Sequence, residues 1–410
     1  MTKVLVVGGG ASGMVAAISA FRCGADVTIL ERNSSCGKKL LVTGNGKCNY
    51  YNDDQDIRHY HSSDNDITQN IINKNNSKLV LDFFDSIGVV PRVKNGYYYT
   101  YSNQAVTILN ALLEEIRLLS VKVINNVFVT NIIKKNGSFV IETDNGEYYA
   151  DKVIMASGSY AFYKNMDINS YELVSKLGHS IIKPLPALVQ LKVDDKITKS
   201  WAGVRVESLV KSYQAGKFVR EEYGELLLTN YGISGICAMQ LSSDIARGLD
   251  NNYKEEVVIN FVPSIARDID SLLKFFDAYN DRVSNRTIIQ MLDNILNYKL
   301  GNAIINKIKI DGNSSYDDLS YKDKVKLASN IVEFKINIDG TNFFNDAQVC
   351  SGGVSIKEID TKNMESLKVR GLYIVGEMLD VNGDCGGYNL TFAWITGILA
   401  GRDSARTDNR

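Results

Sequence analysis

Between Val4 and Glu31 the chain reads VLVVGGGASGMVAAISAFRCGADVTILE, a run that few folds besides a dinucleotide-binding βαβ unit can accommodate. An apolar strand, Val4-Leu5-Val6-Val7, enters Gly8-x-Gly10-x-x-Gly13. A helix of small residues follows from Val15 to Cys23. A second strand, Val27-Thr28-Ile29-Leu30, ends on Glu31. Gly8 permits the tight turn, Gly10 lets backbone approach a pyrophosphate, and Gly13 lets helix and strand pack closely. The helix start offers N–H groups and a positive dipole end to phosphates. Glu31 lies 18 positions after Gly13, where an acid can accept hydrogen bonds from ribose hydroxyls. The fingerprint by itself does not distinguish NAD from FAD.

A chain of 410 residues suggests two or three domains. Its hydrophobic fraction of 45%, charged fraction of 23% and net charge of -1 describe a soluble globular protein with no basic surface for nucleic acid or anionic lipid. No signal peptide is visible, because the first core strand begins almost at Met1, and no apolar run is long enough to span a bilayer. The expected place is the cytoplasm, and the oligomeric state is left open. The cysteines (Cys23, Cys36, Cys48, Cys237, Cys350, Cys385) form no Cys-x-x-Cys, so no zinc knuckle or dithiol pair is encoded locally. His59 and His61 flank Tyr60 in a polar loop and are poor metal material. His179 follows Leu177-Gly178, where a histidine suits the C-terminal end of a helix dipole. No metal site is expected.

The nucleotide-binding pattern extends through a glycine-rich loop from Cys36 to Asn49 and a polar stretch from Tyr50 to Asn76. Helices are expected at Leu79 to Ile87 and Ala105 to Leu119, with the aromatic run Tyr97-Tyr98-Tyr99 read as strand or pocket wall. Strands are expected at Val121–Ile124, Val127–Ile133, Ser138–Thr143 and Tyr148-Tyr149, the last two joined through Asp144-Asn145-Gly146. Val153 to Gly158 is another buried strand. From Leu188 the pattern becomes short and alternating, and from Ser264 to Val332 it becomes helical. These spacings suit a packing face better than a cofactor box. Glycine returns after Ile338. The expected division is a discontinuous nucleotide domain, 1–187 with 340–410, interrupted by a β-rich part, 188–263 with 333–339, and a helical part, 264–332.

The C-terminal segment points from dinucleotide in general to FAD. A strand ends on Gly376-Glu377, and a loop then delivers Gly386-Gly387 to the start of a final apolar helix from Leu390 to Ala400. A helix N-terminus aimed at the isoalloxazine N1–C2=O edge stabilises the negative charge that appears there on reduction. An NAD domain needs no such distant strand, loop and helix.

Three stretches carry a resemblance over essentially the whole chain. They are Gly37 to Asn49 (GKKLLVTGNGKCN), Gly224 to Gly235 (GELLLTNYGISG) and Gly371 through Gly401. Together they resemble the bacterial FAD-dependent flavoproteins that include aminoacetone oxidase and 3-dehydro-bile-acid Δ4,6-reductase-like proteins. The resemblance implies an α/β, Rossmann-like FAD-binding domain of the two-dinucleotide-binding-domain type, interrupted by an inserted β-rich subdomain and a helical cap. It implies that Gly8, Gly10, Ala11, Ser12 and Gly13 meet the pyrophosphate, and Glu31 and Arg32 the adenosine end. Lys39, Leu40 and the loop Thr43-Gly44-Asn45-Gly46 are implied along the ribityl chain and ring. Val129 is implied at the adenine, and Ala156-Ser157-Gly158 beneath the phosphates. Gly376, Glu377, Asp380, Gly387, Tyr388, Asn389 and Leu390 complete the implied flavin site. Three departures stand out. Ser159 replaces the last glycine of the usual Ala-Thr-Gly-Gly. The flexible loop that follows is the bulkier run from Ala161 to Ser170. Asn230 stands where the family commonly has histidine.

FAD supplies the hydride chemistry, and a substrate carbon must sit over its N5 while a nearby group supplies the proton. The candidate catalytic residues are Lys47, Cys48 and Asn389. Lys47 is a charge for the flavin site, and Cys48 beside it ends a glycine-rich turn where a thiolate could be favoured. No second G-x-G-x-x-G follows a strand, so NAD(P)H would act as a transient electron donor docking at the flavin face. The first expected activity is reduction of an activated C=C in a small or hydrophobic ketone. Oxidation of an amine or aminoketone with reoxidation by oxygen is the alternative, and a non-enzymatic flavin redox sensor is the third.

Overall fold

The computed structural model describes residues 1–162, 170–283 and 286–407. Residues 163–169, most of the run between Ala161 and Ser170, lie outside the described residues. The chain divides into two compact units, Met1–Pro184 with Val349–Arg410, and Leu185–Gln348.

The first unit is built on a parallel sheet. Strands β1 (Lys3–Val7), β2 (Asp26–Glu31), β3 (Lys122–Asn125), β4 (Lys152–Met155) and β5 (Leu372–Ile374) lie in the order β5-β4-β1-β2-β3. Every neighbouring pair is parallel. A parallel sheet is covered on both faces, which is why its strands are unbroken apolar runs rather than alternating ones. Val4 to Val7, Val153 to Met155 and Leu372 to Ile374 are all buried. Each aliphatic side chain so placed contributes roughly 1.5–3 kcal/mol of burial.

Helix α1 (Ala11–Arg22) follows β1 through the Gly8 turn, and the last helix, α2 (Tyr388–Ser404), packs along it. The two backbones touch because α2 has no side chain where they cross. A Cβ on Gly397 would stand 2.5 Å from the Ser12 carbonyl oxygen, and one on Gly401 2.3 Å from that of Ala16. The spacing of four residues puts both glycines on one helix face. On another side Trp394 donates its indole N–H to the Tyr50 carbonyl at 3.0 Å and meets the Phe84 ring edge-on at 5.0 Å. Partners on several sides explain why α2 is apolar nearly all round.

A three-stranded antiparallel sheet, Val129–Lys135, Ser138–Thr143 and Gly146–Ala150, and the strands Tyr51–Asn52, Pro91–Lys94 and Tyr97–Thr100 flank this layer. The tyrosine run is therefore strand. His179 lies beyond the helix Ser170–Lys176, but its ring is not committed to a helix dipole. Its Nδ1 is 2.9 Å from Glu358 Oε2 and its Nε2 2.8 Å from Ser366 Oγ. Burial holds the imidazole below its ordinary 6.5. Glu358 sits at about 2 because hydrogen bonds from Lys368, Ser180 and His179 outweigh its own desolvation.

The second unit is a seven-stranded antiparallel sheet with helices. Its order is Phe334–Ile338, Glu255–Asn260, Arg205–Gln214, Lys217–Leu228, Gly232–Gly235, Leu191–Lys192, Gly340–Thr341. Helices Ile269–Arg282, Ile288–Leu292, Tyr298–Ile308 and Tyr321–Val332 come from the region expected to be a separate helical part. Their apolar faces (Leu272, Phe276, Leu300, Ile304, Leu327, Ile331) share one core with the sheet residues Val210, Leu226, Val257 and Ile336. A further helix, Ile236–Asp250, directly follows Gly232–Gly235 and was not expected. Among the described residues no helix is long and apolar enough to cross a membrane.

Two outcomes test this account. Gly401→Val places a branched side chain against backbone, so unfolding in denaturant should show a loss of about 1–3 kcal/mol or more. The His179 pair should make stability pH-dependent. Both groups are depressed on folding, so the unfolded chain binds more protons and stability falls as pH drops below 6.5. The decline continues as Glu358 titrates from 4.5 toward about 2. Denaturant midpoints across this range should fall in the native chain, and His179→Asn should flatten the upper part of the slope.

Candidate cofactor site

Helices α1 and α2 both start at a glycine, Gly10 and Gly387, and neither start is capped by a side chain or carries an acid in its first turn. Two positive dipole ends with backbone N–H groups are thus presented without an internal counter-charge.

The four glycines around the first turn differ in what surrounds them. Gly8 has φ +105°, and its Cβ would lie 2.5 Å from the Ala156 carbonyl. A Cβ on Gly13 would lie 2.0 Å from the Gly8 carbonyl, and one on Gly9 2.3 Å from Cys36 Sγ. Those three spaces are filled by protein. A Cβ on Gly10 would meet nothing within 4 Å. That is open space beside uncapped N–H groups, the cradle that a diphosphate needs and a side chain would fill. Gly9 escaped the sequence reading because the pattern writes its position as x.

Glu31 ends β2 buried. Its Oε2 accepts from Gly9 N–H at 2.7 Å, and its Oε1 accepts from the Asn33 backbone and side-chain amides, both at 2.7 Å. A carboxylate has about four acceptor sites, so room remains for one more donor, such as a sugar hydroxyl. Arg32 lies over the Phe128 ring at 5.4 Å. Val129 is buried where the antiparallel sheet begins, paired with Thr143 ahead of a bulge. Ala156 continues β4 by donating to Val7 at 2.9 Å, Ser157 Oγ is 3.2 Å from Met378 Sδ, and Gly158 has φ +75°.

The loop after Cys36 is a tight turn, Leu40–Gly46, that breaks at Thr43 and runs through left-handed conformations at Gly44, Asn45, Gly46 and Cys48. Leu40 is buried and its carbonyl receives the Thr43 hydroxyl at 2.7 Å. Ahead of the turn, Lys39 Nζ makes a 2.6 Å ion pair with Glu377 Oε2. The same oxygen accepts from the Ser159 hydroxyl at 3.0 Å. Ser159, the departure from glycine, is thereby tied to the acid at the end of the last sheet strand.

That end of the chain meets the first turn directly. Gly376, at φ +63°, has Ser12 Oγ 2.6 Å from where its Cβ would be, and its N–H is donated to Thr396 Oγ1 at 3.0 Å. Asp380 is buried and accepts from the Ser63 N–H at 2.8 Å. Tyr388 is buried and Leu390 half-buried in the first turn of α2. Two polar atoms there are buried without a protein partner, Asn49 Oδ1 and Thr391 Oγ1. Asn49 Oδ1 stands 3.0 Å from the Cβ position of Gly387. A ligand with a polar edge would satisfy such atoms, so the residues present fit a flavin dinucleotide at both ends.

The three expected catalytic residues stand in different surroundings. Lys47 is exposed. Cys48 is fully buried, and burial pushes its thiol up to about 12, so the thiolate expected beside Lys47 is disfavoured. Asn389 spends its amide on the preceding loop, accepting from Gly383 N–H at 2.8 Å and donating to the Gly383 carbonyl at 2.7 Å.

A cluster the sequence reading did not assemble lies beside it. His59 Nδ1 and His61 Nε2 are 3.0 and 2.9 Å from the two oxygens of Asp384, which is buried. His59 also stacks on Tyr388 with centroids 4.5 Å apart. The strand Tyr60–Ser62 pairs with Val381–Gly383, which brings residue 384 alongside residue 59. The available signal was His-x-His, the spacing that puts two side chains on one side of an extended segment.

Comparison with known proteins places this geometry. Residues 2–403 match the family model described as HI0933-like protein Rossmann domain. The chain is 37% identical to the 3-dehydro-bile acid delta(4,6)-reductase of Clostridium scindens over 99% of both chains. It is 25% identical to the ribosomal RNA dihydrouridine synthase of Escherichia coli over 97% of both. Among solved structures, 3-ketosteroid-delta4-(5alpha)-dehydrogenase from Rhodococcus jostii superposes with a TM-score of 0.51 at 13% identity, covering 99% of this chain and 97% of that one. At that identity the likeness is one of fold.

The glycine geometry yields a paired prediction. Gly10 already has φ -79°, which alanine adopts freely, so Gly10→Ala should unfold within about 0.5 kcal/mol of the native chain yet retain little FAD. Gly8→Ala meets backbone at a left-handed φ and should lose both stability and FAD. Flavin absorbance after gel filtration, read beside denaturant unfolding, separates the two.

Proposed function

The chain belongs to the HI0933-like Rossmann-domain family and is an FAD-dependent oxidoreductase, and from that premise we propose that it reduces a C=C bond conjugated to a carbonyl in a hydrophobic, steroid-like ketone, with NAD(P)H as a transient electron donor. The observation that most supports this reading is the end-to-end 37% identity to a reductase whose name denotes a 3-oxo compound with double bonds at positions 4 and 6. The overall reaction consumes the unsaturated ketone, NAD(P)H and one proton, and yields the saturated ketone and NAD(P)+.

When bound, FAD supplies hydride acceptance and donation at N5. The chain does the rest. Gly8, Gly10, Ala11, Ser12 and Gly13 would hold the diphosphate at the N-terminus of α1, and Glu31, Arg32 and Val129 would take the adenosine end. Lys39, Leu40, Thr43, Gly44, Asn45 and Gly46 would hold the ribityl chain, and Ala156, Ser157 and Gly158 would support the phosphates. Gly376, Glu377, Asp380, Gly387, Tyr388 and Leu390 close the ring end, with Asn389 keeping the loop before α2 in shape. Lys39 and Glu377 neutralise each other, so the first carries no uncompensated charge into the site. Of the three catalytic candidates, Lys47 alone combines exposure with an ionisable proton, and we assign it proton delivery to the carbon next to the carbonyl.

A second substrate class has its own support, since two relatives named ribosomal RNA dihydrouridine synthase span nearly the whole chain at 25% and 24% identity. Forming dihydrouridine also saturates a C=C conjugated to a carbonyl, so the same site chemistry serves both. The net charge of -1 favours the small substrate over a polyanion.

Anaerobic reduction decides among these. The yellow holoprotein should bleach with NADH or NADPH and regain colour on adding a 3-oxo-4-ene steroid. Recovery with an RNA transcript and not with the steroid would favour the RNA substrate. Bleaching by an amine with peroxide release in air would favour the oxidase, and no bleaching at all would remove the enzyme reading. Lys47→Met should leave bleaching intact and slow colour recovery by roughly 10²-fold or more, the usual contribution of a general acid.

A further inference from the structure

His59 has a carboxylate oxygen at each ring nitrogen. Asp384 Oδ2 lies 3.0 Å from Nδ1, and Asp54 Oδ2 lies 3.2 Å from Nε2. An ionised carboxylate only accepts hydrogen bonds, so both contacts hold together only when both nitrogens carry protons. As an imidazolium, His59 ties the 52–56 loop to Asp384. As a neutral ring it must release one of them.

The released end matters because of what Asp384 belongs to. It stands in the turn Gly383 to Gly387, whose last residue is the start of α2. The turn is held at its near end by the Asn389 amide on Gly383. It is held in the middle by Asp384, whose backbone N–H is donated to the His59 carbonyl at 2.9 Å and whose other oxygen meets His61 Nε2 at 2.9 Å. The His59 ring lies nearly flat, 17°, on Tyr388, the first residue of α2. Opposite, a Cβ on Gly386 would touch the Tyr97 and Tyr388 rings at 3.0 Å, so the turn has little slack.

Among the described residues, charged and titratable groups face the pair from four elements. Asp54, Asp56 and Arg58 come from the 52–60 loop, Asp384 and Cys385 from the turn, Tyr97 from the neighbouring strand and Tyr388 from α2. Asp56 and Arg58 pair with each other at 3.1 Å. That leaves Asp54 and Asp384 as the acceptors of His59. Asp384 is 4% exposed, and each of its carboxylate oxygens meets an imidazole nitrogen.

We propose that His59 is a positioning residue whose imidazolium, supported by His61 on the same carboxylate, fixes the glycine turn that opens α2 in its flavin-binding shape. The inference rests on the FAD reading of the site. It makes flavin affinity follow protonation of this pair: the bridge is complete when the His59 imidazole is charged and one bond is lost when it is neutral. By linkage, FAD must in turn favour the protonated pair.

The test is the FAD dissociation constant, measured by flavin fluorescence from about pH 5.5 to 8.5. The native chain should bind FAD several-fold more weakly at the alkaline end. His59→Gln and the double variant His59→Gln/His61→Gln should show a flat profile near the native alkaline value. Asp384→Asn should be flat as well, and circular dichroism on each variant separates loss of fold from loss of the profile. If Asp384→Asn does not fold, the half-exposed His59 variant carries the test alone. A His59→Gln chain that keeps the native pH profile overturns the inference, whatever its melting temperature. A native chain that takes up no FAD at any pH overturns the flavin reading instead.

Discussion

Everything in the first unit depends on two helices from opposite ends of the chain being allowed to touch backbone to backbone. Gly397 and Gly401 supply that permission, with Ser12 and Ala16 carbonyls in the space their side chains would take. The contact sets the distance between α1 and α2, and it pairs the first turns of α1 with the second half of α2. Because β5 also enters the sheet beside β4, the Gly376 turn arrives against Ser12. One close crossing therefore fixes, relative to each other, two uncapped helices that are separated in sequence by more than the length of the inserted unit.

The charges at this junction are arranged to be neutral in pairs. Lys39 and Glu377 face each other, with Ser159 donating to the same carboxylate oxygen. Glu31 is held in place by three N–H donors before any sugar arrives. The dipole ends of α1 and α2 are the exception, left without side-chain caps. A ligand with a negative diphosphate at one end and an electron-accepting edge at the other is complementary to that pattern.

What could be read from the sequence was what the backbone encodes locally. Gly8, Gly10 and Gly13 have sterically fixed roles within one βαβ turn, and the parallel strands announce themselves as unbroken apolar runs. The middle of the chain was legible as strands followed by helices, but not as one body, because a packing face read from periodicity does not say what it packs on. Phe276 and Ile304 meet Val257 and Val210 in a single core only after the chain folds back. The same limit explains Cys48. Its neighbour Lys47 is visible in the sequence, whereas the burial that governs its thiol follows from its place in the core of the first unit. Asp384 is more than three hundred positions from His59 and His61 and meets them only through a strand pairing with no local signature.

The inserted unit leaves and re-enters the first unit at neighbouring places. The strands Ile181–Ala187 and Val349–Val354 are paired, and Gly352 comes so near that a Cβ would lie 2.5 Å from the Lys183 carbonyl. In topological terms the whole of Leu185 to Gln348 is the loop of one long hairpin. The entropy of closing such a loop rises only logarithmically with its length, so residues can be added or exchanged there at little cost to the strands that close it. A change of length or sequence within the excursion therefore leaves the pairing at its two ends in place, so the parallel sheet and the inserted unit are mechanically separable parts of one chain.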